Sequence, residues 1–204
     1  MRRVYHEFKP SDLVGGDLAL DFVNTVTARD TEPSDFLDDY HALIRWARQT
    51  SRFRRKDLVE LTNLAGHEPE KAAAALERCR RVRESLGAVF YALVARRQPE
   101  TENVATIDRA RKRAFNAARL NTRNLSLRVA WSVERSGLDL VTHIVTAHAL
   151  DLLQNASLDR LRVCAGTDCG WVFIDTSKNG KRRWCDMEVC GNAAKARRFR
   201  KRHA

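Results

Sequence analysis

From Arg160 to Arg202 the chain reads RLRVCAGTDCGWVFIDTSKNGKRRWCDMEVCGNAAKARRFRKR. Four of its five cysteines fall here, as CAGTDC (Cys164, Cys169) and CDMEVC (Cys185, Cys190), two C-x4-C pairs separated by fifteen residues. Matched pairs in so short a span read as a metal site, and four soft thiolates fill the tetrahedral shell that zinc prefers. A shell closed by four cysteines leaves no position for water or substrate, so the expected cofactor is one structural Zn2+. A segment this short cannot build a sufficient core alone, and the metal would supply much of its folding free energy. Buried or unpaired thiols are the competing reading.

Between the pairs, WVFID (Trp171 to Asp175) has strand character, Asn179-Gly180 is a hairpin turn signal, and RRW returns as a second strand. This places the first pair at the start of a hairpin and Cys190 in the first turn of a terminal helix, a small treble-clef-like finger. Lys181, Arg182 and Arg183 would help lower the thiol pKa values.

In the terminal helix, Ala193, Arg197 and Lys201 form one row, with Ala194, Arg198 and Arg202 beside it. Ala196 and Phe199 fall on the other side, suited to packing on the hairpin. No acidic residue follows Glu188. From Arg160 onward there are 12 basic against 4 acidic side chains, whereas residues 1–159 carry 25 against 22, so the net charge of +11 is concentrated at one end. Such asymmetry points to a polyanion, nucleic acid ahead of an anionic membrane, and DNA is the expected partner, with Arg182, Arg183, Lys195, Arg197, Arg198, Arg200, Lys201 and Arg202 as candidate contacts. A solvated basic tail competes with that reading. Trp171, Phe173 and Trp184 would stack on unpaired RNA bases only if exposed; packing inside the finger is favoured.

Upstream, with 4 Pro and 9 Gly in 204 residues, the composition favours helix. Leu18, Phe22 and Val26 recur at helical spacing. A helix capped by Ser34 carries Phe36, Tyr40, Leu43, Ile44 and Ala47, and another runs from Arg55 to Gly66. Pro69 opens a long helix with Ala72, Leu76, Cys79, Val82, Leu86, Phe90 and Leu93 on its apolar row; Pro99 opens the next, to about Ala118, with Val104, Ile107 and Ala114 inward. Leu125, Leu127, Val129 and Trp131 then alternate as a strand, Ser136-Gly137 turns the chain, and Leu138 to Asn155 is helical. The link from Ala156 to Leu161 is short. The expected protein is mainly α with a small β component: a helical domain carrying a β-hairpin over residues 1–159, and the finger over 160–204.

Cys79 reads as a core thiol. His143 and His148 lie five apart, which favours core or surface roles over metal ligation. Asp21, Asn24 and Thr25 are polar residues among apolar ones and are candidates to line a small-molecule effector site; the competing reading is that Asn24 and Thr25 cap or terminate the first helix. No apolar run is long enough to span a bilayer, and the first residues lack the apolar stretch of a signal peptide, so a cytoplasmic, nucleoid-associated protein is expected. No phosphate loop, paired-carboxylate signature or nucleophile elbow is present, so an enzyme is not expected.

The quoted stretch closely resembles the CGNR zinc finger, and LALDFVNT (Leu18 to Thr25) resembles the start of the ABATE domain that precedes it. The resemblance covers nearly the whole chain. It implies Cys164, Cys169, Cys185 and Cys190 as zinc ligands in a bacterial regulator of stress-related transcription, whose larger domain senses a ligand or partner. The family motif ends in Arg where this chain has Ala193, which removes one potential DNA contact and leaves the metal ligands untouched. A homodimer on a two-fold site would extend what one short helix reads. A ligand-binding or protein-interaction module, with the finger docking a protein or RNA partner, is the alternative.

Overall fold

A computed structural model describes residues 6–29, 31–123, 126–155 and 158–203. Eight α-helices are present among them: α1 (Leu18–Val23), α2 (Tyr40–Gln49), α3 (Arg55–His67), α4 (Pro69–Val94), α5 (Thr101–Ala117), α6 (Val133–Ser136), α7 (Leu140–Asn155) and α8 (Asn192–His203). Three two-stranded antiparallel sheets accompany them: β1 (Val26–Thr27) with β2 (Ser34–Asp35), β3 (Arg119–Arg123) with β4 (Ser126–Ala130), and β5 (Leu161–Val163) with β6 (Val172–Ile174). None of the described helices is long and apolar enough to cross a membrane.

The central element is α4, which packs against α1, α2, α3, α5 and α7. Its heptad-like apolar row buries Ala72, Leu76, Cys79, Val82, Leu86 and Phe90, each at most 6 % exposed, as the periodicity predicts. Burial pushes the Cys79 thiol up to about 12, so it remains a neutral core group. Val104 departs from the expected inward row: it is 49 % exposed in the first turn of α5, and the buried row is Ile107, Ala110, Ala114 and Ala117.

Two helix boundaries differ from the sequence reading. Helix α1 ends at Val23, and Val26 enters β1 instead of continuing the helix. Ser34 does not cap α2. It sits in β2, and Asp39 is the cap, its carboxylate accepting from Ala42 N at 2.6 Å. The cause is Arg83, 2 % exposed on α4, whose Nη1 and Nη2 each donate to Asp35 at 2.7 Å. That bidentate pair holds the 34–35 segment extended against α4 and delays the helix to Tyr40.

The helical part does carry a hairpin. Its first strand, Arg119–Arg123, lies just past the expected end of a helix, and Leu125 lies outside the described residues. The alternating Leu127 and Val129 are 65 % and 41 % exposed, so the strand pattern is real but faces solvent. Gly137, at φ +53°, makes the turn between α6 and the run into α7 in a conformation that disfavours side chains. The Ala156 end of the link to the finger also lies outside the described residues.

The finger is threaded differently from expectation. Trp171–Asp175 does supply a strand, but β6 pairs with the upstream β5, in register Leu161↔Ile174, and not with Arg182–Trp184. The returning segment cannot serve as a strand because Asp175 gathers it into a tight turn. Its carboxylate accepts from Ser177 N (2.9 Å), Ser177 Oγ (2.6 Å) and Arg182 N (2.8 Å).

Candidate metal centre and nucleic-acid interface

Pairing β5 with β6 puts Cys164 and Cys169 in the connecting loop, which closes into a knuckle. Cys185 follows the Asp175 turn. Cys190 lies in a single π-helical turn, Met187–Gly191, capped by Asp186, whose Oδ1 accepts from Val189 N at 2.8 Å. The four Sγ atoms lie within 4.8 Å of one another, with Cys169–Cys185 at 3.6 Å and Cys185–Cys190 at 3.8 Å. Zn–S bonds of ~2.3 Å in a tetrahedron give S···S edges of about 3.8 Å, so the spacing fits zinc. Backbone N–H groups of Gly166 (3.4 Å) and Cys185 (3.3 Å) point at Cys164 Sγ, as expected for thiolate ligands. A Cβ on Gly166 would stand 3.2 Å from Cys190 Sγ and 3.1 Å from Cys169 Cβ, close enough that the cysteines would have to give by a few tenths of an ångström.

Packed without a cation, thiols this close resist joint ionisation. Hydrogen bonding to Cys164 raises Cys169 and Cys185, burial raises Cys190, and Cys164 alone is lowered, chiefly by the Cys169 and Cys185 thiols. A divalent cation resolves that conflict by stabilising all four as thiolates. Bound there, zinc ties the knuckle, the Asp175 turn and the base of α8 into one unit; Cys164, Cys169, Cys185 and Cys190 form a single zinc site.

The finger does not stand apart from the helices. Leu161 and Val172 belong to the main core, and Phe173 belongs with the cysteines. Asn24, 2 % exposed, bonds both backbone groups of Val172: Nδ2 donates to its carbonyl at 2.9 Å and Oδ1 accepts from its N–H at 2.8 Å. Ala28 N donates to Cys169 O at 2.9 Å, Tyr91 Oη to Gly170 O at 2.7 Å, and Ile174 N to Gly15 O at 2.9 Å.

These contacts locate the three residues read as effector ligands. Asn24 is the C-cap position of α1 and clamps the finger. Thr25 donates to Phe22 O at 2.8 Å and accepts from Arg83 Nη1 at 3.0 Å. Asp21 accepts from Gly15 N at 2.8 Å, and burial lifts its carboxyl to about 7. The polar side-chain atoms of Asn24 and Thr25 are committed within the protein, those of Asn24 on the finger and that of Thr25 at the end of α1. Nothing in the type of residue distinguishes a clamp from a ligand; the Val172 partner is 148 positions away.

The basic candidates divide. Arg182 is built into the finger: Nε donates to Trp184 O at 2.9 Å, Nη2 to Cys185 O, and the guanidinium lies 4.7 Å over the Phe173 ring. Arg183 is exposed, 5.3 Å over Trp184. On α8, Lys195, Arg198, Arg200, Lys201 and Arg202 are exposed and Arg197 is half-buried. The helix continues directly from the π-turn. Phe199, expected against the hairpin, is 62 % exposed. Gly191 joins turn to helix, where a Cβ would meet Met187 Sδ at 2.6 Å.

A helical domain clamped to a four-cysteine finger that ends in a basic helix defines a zinc-finger protein. The ABATE family model, described as "Putative stress-induced transcription regulator", matches residues 16–156, and the CGNR zinc finger model matches residues 160–203. The chain belongs to the ABATE family and carries a CGNR zinc finger. Neither description is enzymatic. No curated protein matches the chain.

Proposed function

We propose that this protein binds duplex DNA through α8 and regulates transcription in response to a signal received by its helical domain. The observation that carries the reading is α8 itself. Five of its six lysines and arginines are exposed, no acidic residue lies in the helix, and no salt bridge engages it among the described residues. An isolated cationic helix held at its base by a metal site suits phosphate contact and groove entry. Ala193 is exposed at that base, where a guanidinium would add one contact. Phe173 is fully buried and Trp171 and Trp184 pack on the cysteine cluster, which disfavours a stacking platform for RNA. The working form is a cytoplasmic, nucleoid-associated homodimer, since one short helix contacts few base pairs.

The test is fluorescence anisotropy with zinc-loaded protein on duplex DNA and on single-stranded RNA of the same sequence. Duplex should bind more tightly, and the variant R198Q/K201Q/R202Q should lose at least tenfold in affinity with zinc content unchanged. Equal binding of the variant, or preference for RNA, would remove the proposal.

A further inference from the structure

Away from the finger, the face between α4, α5 and α7 holds a cavity of about 220 Å³ that none of the roles above uses. Arg81 from α4 and Arg109 and Arg113 from α5 are exposed around its mouth. Arg78 forms one wall, paired through two hydrogen bonds with Asp139 (3.1 and 2.9 Å). Four guanidiniums against one carboxylate make the lining strongly cationic. Arg81 and Arg113 take part in no ion pair among the described residues.

The floor carries the second, independent feature. His143 is 7 % exposed, and its Nδ1 is buried without a hydrogen-bond partner. A buried imidazole nitrogen left unpaired carries a desolvation cost that proteins ordinarily avoid unless a partner arrives from outside. His143 also lines an adjoining groove of about 470 Å³, shared with Arg113 and Asp139. That groove contains Ser136, 8 % exposed, whose Oγ is likewise buried and unpartnered. The residues that carry these two orphaned atoms thus line adjoining pockets rich in arginine, with the atoms just beneath the surface. Burial lowers the His143 pKa, so the ring is neutral at pH 7 and offers one N–H and one acceptor.

We infer that this groove binds a small organic oxyanion, a phosphate monoester or a dicarboxylate, gripped by Arg81, Arg109 and Arg113 and anchored on His143 and Ser136. Guanidinium groups match both oxyanions with paired hydrogen bonds. The space is small for a drug-sized ligand and suits a compact metabolite. That such a ligand is the signal of the helical domain rests on the proposed function; its binding does not.

The experiment is isothermal titration calorimetry of the zinc-loaded full chain, at low salt and without DNA, with glycerol 3-phosphate and with succinate in separate arms. One of them should bind saturably at one site per chain, and the arm that responds identifies the oxyanion. The exposed pair R81Q/R113Q should weaken binding by roughly tenfold or more, from loss of two charge-assisted contacts. His143→Ala should also weaken it, while R198Q/K201Q/R202Q on α8 leaves it unchanged. Absence of saturable binding by either compound overturns the inference. So does binding that survives R81Q/R113Q and disappears in the α8 variant. If the site binds and DNA affinity is unaffected by the ligand, the site stands and the signalling role fails.

Discussion

Replacing Asn24 with Ala tests whether the finger is bolted to the helices or merely tethered. The side chain is 2 % exposed and satisfies both the N–H and the carbonyl of Val172, itself fully buried. Each bond contributes about 0.5–1.5 kcal/mol net, and each backbone group left unpaired adds a desolvation cost of about 1–3 kcal/mol. Some relaxation will let water reach one of them, so the expected loss is about 2–4 kcal/mol. Because the strand carrying Val172 also carries Phe173 into the cysteine cluster, the loss should appear as separation of two unfolding events. Urea denaturation followed by tryptophan fluorescence and by zinc release should show coincident transitions in the wild-type protein. In N24A, zinc release should come at lower urea than loss of the helices. Coincident transitions in the variant, with stability within about 0.5 kcal/mol of wild type, would refute the clamp.

Three other perturbations follow from the same geometry. Asp21 has its carboxyl raised to about 7 by burial, above the unfolded value near 4, so its contribution is present below pH ~4 and is lost as pH rises through 7. Asp21→Asn should therefore stabilise the protein by on the order of 2 kcal/mol at pH 8 and hardly at all at pH 4, read from denaturation at both pH values. Asp35 behaves oppositely. Burial works upward, but the hydrogen bond and charge of Arg83 hold its carboxyl below the usual range, so its contribution is present above pH ~4 and lost as pH falls further. Arg83→Met should cost about 2–4 kcal/mol at pH 7 and flatten the acid limb of a stability–pH profile. Removing zinc with a chelator should abolish the hydrogen-exchange protection of the Cys164 and Ala165 amides, which bond Trp171 O and Arg183 O around the cysteines, while the Val172 and Ile174 amides, held by Asn24 and Gly15, and those of α4 stay protected.

The metal site is legible in the chain because its chemistry is local: two thiol pairs at matched spacing, close together in one segment, carry the ligand set by themselves. The apolar row of α4 is legible for a similar reason, since a periodicity of three to four residues is a property of one segment. What escapes sequence reading depends on partners far along the chain. Ser34 resembles a helix cap until Arg83 draws Asp35 away. Asn179-Gly180 resembles a hairpin turn until Asp175 collects Ser177 and Arg182, leaving β6 to pair with β5. Arg182 reads as a phosphate contact because its charge is visible and its bonds to Trp184 and Cys185 carbonyls are not. The cationic groove is invisible for the same reason: Arg81, Arg113 and His143 come from three helices and share no motif.

The salt dependence of duplex binding tests the central claim most directly. Anisotropy titrations of zinc-loaded protein over a range of salt should give a log–log slope of about −0.9 for each phosphate neutralised, a steep line for a helix presenting five exposed cations. The same titration after chelation should show weak binding, because α8 has lost the anchor at Cys190. A flat salt dependence, or a chelated protein that binds as tightly as the zinc-loaded one, would contradict the account of a metal-anchored helix built for DNA.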